Sequence, residues 1–196
     1  MENIRIFVGI ACPPAQRKMV AALMDRLAAA LPFRKWTHPD DLHVTLHFIG
    51  ETPPQRLGAI RRVLEETAAQ LAPLSLAFAE PGIFGPPDAP RILWLGLKEP
   101  EAPGSLKRLH DALRPGLVSA GCRLDEKPFR AHMTLARQAE SKCGPEAVRA
   151  AWTAALAGDP HAVTLPWEAG GITLFRSHLG RRPSYETIGY FPFGGE

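Results

Sequence analysis

Two stretches of this 196-residue chain carry the same pattern of chemically capable side chains. Pro39-Asp40-Asp41-Leu42-His43-Val44-Thr45-Leu46 and Pro128-Phe129-Arg130-Ala131-His132-Met133-Thr134-Leu135 both read P-x-x-x-H-x-T-L. One H-x-T-L is a weak signal, but its duplication within an internal repeat is a strong one. An imidazole gives or takes a proton near neutral pH because its ordinary pKa is about 6.5. One imidazole on each side of a bound atom supplies a base for an attacking oxygen and an acid for a leaving oxygen. Threonine hydroxyls beside them can donate to the non-bridging oxygens of a phosphoryl group. The chain has no G-x-S-x-G and no Cys–His signature for acyl transfer, and neither a P-loop nor a Rossmann fingerprint. The residues therefore point to displacement at a phosphodiester with a built-in leaving group.

Strand periodicity sets where these side chains point. Residues 41–49 read as a strand with Leu42, Val44, Leu46 and Phe48 inward, and with His43, Thr45 and His47 on the other face. Residues 131–137 read likewise, with Ala131, Met133 and Leu135 inward and His132 and Thr134 outward. Arg130 shares the outward parity. Strict alternation turns Arg137 away from His132 unless the strand ends or bulges there. Each strand then presents an imidazole and a hydroxyl about 7 Å apart. A pseudo-two-fold axis between the halves would set the two strands facing each other across a groove. His43 and His47 form H-x-x-x-H, but on a strand they lie about 13 Å apart, too far for one metal ion. His38, His110, His161 and His178 repeat no motif and read as surface or structural residues. Asp40 and Asp41, adjacent on a strand, diverge.

The order strand, helix, strand, helix occurs twice. Residues 5–9 form an apolar β-type run, and 91–96 echo it about 87 residues later, close to the 89 that separates the histidines. Pro13-Pro14 opens a helix with Val20, Leu23, Leu27 and Leu31 on one stripe, and Pro53-Pro54 opens another carrying Leu57, Ile60, Leu64 and Leu71. Trp36 and Pro39 fall in a loop between the first helix and the histidine strand. In the second half Leu106, Leu109 and Leu113 mark a helix bent at Pro115-Gly116, and a further helix covers 146–156. Leu74–Phe84, 171–176 and 185–191 add strands, and 85–90 and 181–183 read as surface loops. The expected architecture is an α+β single catalytic domain of two repeated halves, about 1–85 and 90–196.

The formal charge of +3 suits a phosphate-bearing ligand but not a protein that coats duplex nucleic acid. The N-terminal apolar run is too short for a signal peptide, and no run approaches the roughly 20 residues of a membrane span. Three cysteines without a C-x-x-C make neither a disulfide framework nor a zinc site. A cytoplasmic protein with no membrane partner is expected.

The paired H-x-T-L motifs resemble those of the two-histidine phosphoesterases. Within them the likeness is to the bacterial and archaeal RNA 2′,3′-cyclic phosphodiesterases, also called 2′-5′ RNA ligases. It runs through Leu42-His43-Val44-Thr45-Leu46 with Phe48-Ile49-Gly50-Glu51, and through Pro90 to Gly96. It continues with Pro128-Phe129, with His132-Met133-Thr134-Leu135-Ala136-Arg137, and with Ser177, Gly180 and Tyr185. The resemblance implies a bilobal fold of two pseudo-symmetric antiparallel-sheet lobes, with helices outside and a central cleft. It implies that His43 protonates a departing 3′ oxygen, that His132 activates water, and that Thr45 and Thr134 hold the phosphate. Arg137 matches a family arginine that binds phosphate, and Arg130 is a second basic candidate. No metal and no cofactor is implied, and the product is an RNA 2′-phosphomonoester, with reversal to 2′-5′ ligation open. The implied partners are RNA ends with a 2′,3′-cyclic phosphate, including tRNA fragments or nucleotides, met by a monomer. Ala131 stands where the family often has proline. His47 is expected to be exposed and Phe48 to be core. Phe48, Phe129, Tyr185, Arg176, Arg181 and Arg182 are candidates to stack a terminal base and contact flanking phosphates. Two alternatives stay open: a nucleotide- or RNA-binding module without turnover, and a phosphodiesterase of small cyclic nucleotides.

Overall fold

A computed structural model of the chain describes residues 2–157 and 163–194. His161, read above as a surface or structural residue, lies outside the described residues. The strands are β1 (Ile4–Ala11), β2 (Phe33–Trp36), β3 (His43–Thr52), β4 (Leu74–Phe84), β5 (Ile92–Lys98), β6 (His132–Ala139), β7 (Trp167–Ala169), β8 (Gly171–Ser177) and β9 (Tyr185–Pro192). The helices are α1 (Pro14–Ala28), α2 (Leu57–Ala68), α3 (Ser105–Ser119) and α4 (Pro145–Ala155). This is the expected α+β class.

All strand pairs are antiparallel, in the order β7-β4-β5-β6-β3-β1-β8-β9, with β2 added alongside β6. The lobes are therefore two parts of one curled sheet, joined where β3 meets β6 at the pair Val44–Met133. The helices pack outside on apolar stripes: Val20, Leu23, Met24 and Leu27 of α1, Ile60 and Leu64 of α2, and Leu106, Leu109, Leu113 and Leu117 of α3. Pro115 falls inside α3, which runs on to Ser119. Burial of these side chains with Ile6, Val8, Val44, Leu93, Met133 and Leu174 forms the core that fixes the site-bearing strands.

Two short strands escaped the sequence reading. β2 occupies the segment read as a loop around Trp36, and pairs Lys35 with Arg137 and Trp36 with Ala136. β7 adds three residues at the edge of β4. Neither shows alternation long enough to announce itself, and both exist because a longer strand offers them a ladder. The segment Pro39–Asp41 before β3 is a 3-10 turn, so Asp40 and Asp41 diverge through a turn, not along a strand.

Ladder register also corrects the repeat offset. Gly9 lies opposite Thr45, and Trp94 opposite Thr134, so β1 and β5 match at 85 residues while the histidine strands match at 89. Glycine is needed at position 9, because a Cβ there would sit 2.5 Å from the Val44 carbonyl oxygen.

Candidate active site

The two histidine strands are neighbours in the sheet, not opposing walls of a groove. With Val44 opposite Met133, the next residues place His43 across from Thr134 and Thr45 across from His132. The imidazoles are thus diagonal neighbours, with Cβ atoms of order 7 Å apart.

Each ring is held the same way. His43 Nδ1 lies 2.6 Å from the Asp41 carbonyl oxygen, and His132 Nδ1 lies 2.7 Å from that of Arg130. A carbonyl only accepts, so Nδ1–H donates in both and Nε2 is left for chemistry. His43 Nε2 is 2.9 Å from the Thr45 hydroxyl, so side chains on alternate residues lean together despite their backbone spacing. Beneath the rings lie aromatic side chains. His43 packs against Phe7 at 4.8 Å, Tyr185 at 5.2 Å and Phe175 at 5.4 Å, and His132 against Phe84 at 5.0 Å. Phe175 and Phe84 are ladder partners of Phe7 and Ile92, which occupy equivalent places on β1 and β5. No motif marked the two phenylalanines; only the ladder registers relate them.

Burial pushes His43 down to about 4; its bond to the Asp41 carbonyl pulls the other way, and the positive charge of Arg137 and His132 adds to the lowering. His132 is lowered too, by burial first, opposed by the Arg130 carbonyl and helped by Arg137. Both rings therefore feel Arg137, on the residue that strict alternation had turned away. The reason is a β-bulge. Opposite β5, Leu93 pairs with Ala136 and Trp94 with Thr134, so Leu135 is the extra residue. Leu135 and Ala136 are both buried, the parity flips, and Arg137 emerges on the face of His132 and Thr134.

The same bulge occurs in the first half. Val8 pairs with His47 and Gly9 with Thr45, which makes Leu46 the extra residue. Two expectations fail for this one reason. His47 is buried, not exposed: its Nε2–H donates to the His110 carbonyl at 2.7 Å, and its ring stacks on His110 at 4.1 Å. Phe48 is not core but 61% exposed, at the position equivalent to Arg137.

A cavity of about 220 Å³ lies beside Thr45, Phe48, Phe84, His110, Phe129, Arg130 and His132. A second, of about 410 Å³, adjoins Arg5, Phe7, Phe48, Arg137, Leu179 and Tyr185. His43, Thr45, His132, Thr134 and Arg137 are thus brought to one face, with Arg130 at its edge. Arg176 pairs across the β8–β9 ladder with Glu186 and lines neither cavity.

Asp41 had no expected role. It is buried, and its carboxylate accepts the backbone N–H of Ser184 at 2.8 and 3.0 Å and of Tyr185 at 2.9 Å. It so ties the start of β9 to the turn whose carbonyl orients His43. The other unduplicated histidines play local parts. His38 Nδ1 accepts from the Asp40 amide at 3.2 Å, and His178 Nε2 meets a Glu186 carboxylate oxygen at 2.6 Å. No group of three or more metal-ligating side chains is found among the described residues, and none of their helices is long and apolar enough to cross a membrane. Cys12, Cys122 and Cys143 are free and buried.

This geometry can be set beside known proteins. The RNA 2′,3′-cyclic phosphodiesterase of Geobacillus stearothermophilus is 35% identical over 198 residues, which cover this whole chain and 59% of that protein. The chain thus spans about three-fifths of that relative. The protein of the same name from Bacillus subtilis strain 168 is 32% identical over 165 residues, covering 81% of this chain and 80% of the relative. A crystal structure from Thermus thermophilus superposes with a TM-score of 0.71 at 27% identity, covering 98% of this chain and 99% of its own. Apo LigT of Escherichia coli shares the fold, with a TM-score of 0.71 at 22% identity and 98% coverage of both chains. The model of the 2′-5′ RNA ligase superfamily matches residues 13–181. Most of the chain is covered by that match, and the chain belongs to the 2′-5′ RNA ligase superfamily.

Proposed function

We propose that this protein hydrolyses the 2′,3′-cyclic phosphate at an RNA end to a 2′-phosphomonoester, with His43 and His132 as acid and base. The observation that carries this reading is the pair of imidazoles on diagonal positions of neighbouring strands, each with Nδ1 held by the carbonyl two residues back, so that Nε2 is free, and both within reach of the Arg137 charge. Relatives that carry the name RNA 2′,3′-cyclic phosphodiesterase, at 35% and 32% identity, supply the substrate class.

In this mechanism His132 Nε2 takes a proton from water as the water oxygen attacks phosphorus. The P–O3′ bond breaks in line, and His43 Nε2–H delivers its proton to the departing 3′ oxygen. Thr45, Thr134 and Arg137 donate to the non-bridging oxygens, whose charge grows in the transition state. Arg130 serves the same anion from the edge of the cleft. Turnover leaves His43 without its proton and His132 with an extra one, and exchange with solvent resets both. With an RNA 5′-hydroxyl in place of water the same groups run 2′-5′ ligation, and the reverse path splits that bond. No step calls on a metal or cofactor. The chain acts as a single catalytic domain of two repeated halves, a monomer in the cytoplasm, a compartment that suits its three free thiols.

The test is turnover of an oligoribonucleotide ending in a 2′,3′-cyclic phosphate, with chelator present and the product assigned as 2′- or 3′-phosphate. A 2′-phosphate is expected, with His43→Ala and His132→Ala each slowed at least ~100-fold. Undiminished turnover by either variant would falsify the assignment. Tight binding of the cyclic end with no product would make the protein a binding module instead.

A further inference from the structure

The two sides of the cleft are built alike and furnished differently. The bulge at Leu46 turns Phe48 to the cleft, and the bulge at Leu135 turns Arg137 there. Around Phe48 the side wall is mainly aromatic, with Phe84, Phe129 and the His110 ring; of its two cations, Lys127 stands 3.5 Å from Asp125 and Arg130 lies at the edge beside His132. Around Arg137 a separate cavity of about 290 Å³ is lined by Arg34, Lys35, Arg181 and Arg182.

Five cations thus share this basic wing. Among the described residues the one carboxylate lining it is Asp41, and both of its oxygens are taken by the Ser184 and Tyr185 amides. Lys35 is the ladder partner of Arg137 across β2–β6. Like charges directly opposite in a sheet are destabilising, so the wing costs stability when empty and regains it when an anion bridges the pair. Arg34 faces Glu140 at 3.4 Å, but both side chains are more than 60% exposed, where such a pair holds little.

We propose that the basic wing holds the phosphates preceding the terminal nucleotide, so that the substrate is a single-stranded RNA end and not a free nucleotide. The inference rests on the cyclic-phosphate reading above. Continuity selects the occupant, because Arg137 and Tyr185 line both the wing and the cavity that also holds Phe7 and Phe48. Phe48 in turn lines the cavity beside His132, so a chain that leaves that cavity passes Phe48 and Arg137 on its way into the wing. Volume selects single-stranded RNA, because a duplex is too wide for a cavity of this size. Single-strand binding loses about 0.7 log units of affinity per neutralised phosphate for each tenfold rise in salt, or about fivefold per phosphate between 0.1 and 1 M. Two phosphates in the wing make that about 25-fold.

The experiment compares kcat/KM for a trinucleotide ending in a 2′,3′-cyclic phosphate with that for a nucleoside 2′,3′-cyclic phosphate, in wild type and in the double variant Lys35→Gln/Arg182→Gln, across salt concentrations. The wild-type preference for the trinucleotide is expected to be about 25-fold larger at 0.1 M than at 1 M salt. It should fall with a slope near −1.4 on the log–log plot and shrink to within about fivefold of unity in the variant. Circular dichroism of the variant and the wild-type salt slope together separate lost contacts from lost folding. Equal use of both substrates, or a preference that salt leaves unchanged, overturns the inference while the cyclic-phosphate reading stands. A salt-sensitive preference untouched in the folded double variant overturns it too, since the chain then runs elsewhere. Turnover of neither substrate overturns the cyclic-phosphate reading itself.

Discussion

Replacing Arg137 by glutamine tests the bulge and the chemistry together. Alternation without the bulge would send this side chain away from the histidines, and the loss of its charge would then be silent. With the bulge, its charge acts on both rings, lowering His43 and His132 alike. A hydrogen bond from a charged donor to an anion contributes about 1.5–3 kcal/mol. Its removal predicts a fall in kcat/KM of about 10- to 150-fold. The same change takes a cation away from both imidazoles, so both limbs of the bell-shaped pH profile should move to higher pH. Arg137→Lys keeps a charge but lacks the planar fork that meets two phosphate oxygens at once. It should leave the limbs in place and recover part of the rate. Because the side chain is exposed, neither variant should lower Tm by more than about 2 °C. Rates and pH profiles are measured on one cyclic-phosphate oligonucleotide. A glutamine variant with wild-type kcat/KM and unmoved limbs would refute both the placement of Arg137 and its role.

With His132 as the proposed base and His43 as the proposed acid, the active form has His132 unprotonated and His43 protonated, so activity is lost at low pH through His132 and at high pH through His43. Both pKa values are lowered by burial, His43 to about 4, so the kcat/KM optimum should lie below pH 6.5. The bound phosphate raises both groups, so the kcat optimum should lie at higher pH, and coincident optima would contradict this. Phe48→Ala removes an exposed ring on which, in the proposed complex, a terminal base stacks. It should raise KM by about 5- to 150-fold, with an unchanged urea midpoint. Burial also lowers His47 to about 4. Between pH 6.5 and 4 the unfolded chain binds a proton there that the folded protein refuses. This share of stability is whole above pH 6.5 and fades as pH falls toward 4, by up to about 3 kcal/mol. The drop in urea midpoint from pH 7 to 4.5 should therefore be smaller in His47→Gln, and an equal drop would show that His47 is not the titrating group.

Much of the site was legible because it is local. H-x-T-L on a β-type run fixes which residues share a face, and His43 with Thr45 and His132 with Thr134 emerge together as the period of two demands. Alternation breaks one residue past each motif. Leu46-His47 and Leu135-Ala136 give no local sign that two consecutive residues go inward, since a histidine or an alanine is tolerated on either face. Register decides it, through the partner strands β1 and β5, and register is a property of the assembled sheet. β2 and its cations were missed for the same reason. Phe33-Arg34-Lys35-Trp36 has no strand pattern of its own and is ordered by the edge that β6 presents.

That both halves bulge at the same place separates what the reaction requires from what the substrate requires. In the proposed reaction proton transfer on either side of phosphorus is symmetric, and the parts assigned to it are duplicated: imidazole, hydroxyl, and the carbonyl that fixes Nδ1. A nucleotide end is not symmetric, having a base in one direction and a charged chain in another. The backbone accommodates this because each bulge delivers whatever side chain follows it to the cleft, leaving that position open to chemistry of either kind. Phe48 occupies it on one strand and Arg137 on the other, each with a wall of matching character around it. Exchanging the two residues would leave both histidines in register and both bulges intact, yet each side chain would stand in a wall furnished for the other. The arrangement therefore predicts that Phe48→Arg/Arg137→Phe folds with a near-native urea midpoint and keeps both Nδ1–carbonyl bonds. Its kcat/KM should fall by at least the Arg137→Gln loss, since a phenyl ring at 137 offers a phosphate no donor, while an arginine at 48 still stacks on a base. Recovery of wild-type kcat/KM in the exchanged protein would mean that the walls, and not these two positions, set the substrate's direction.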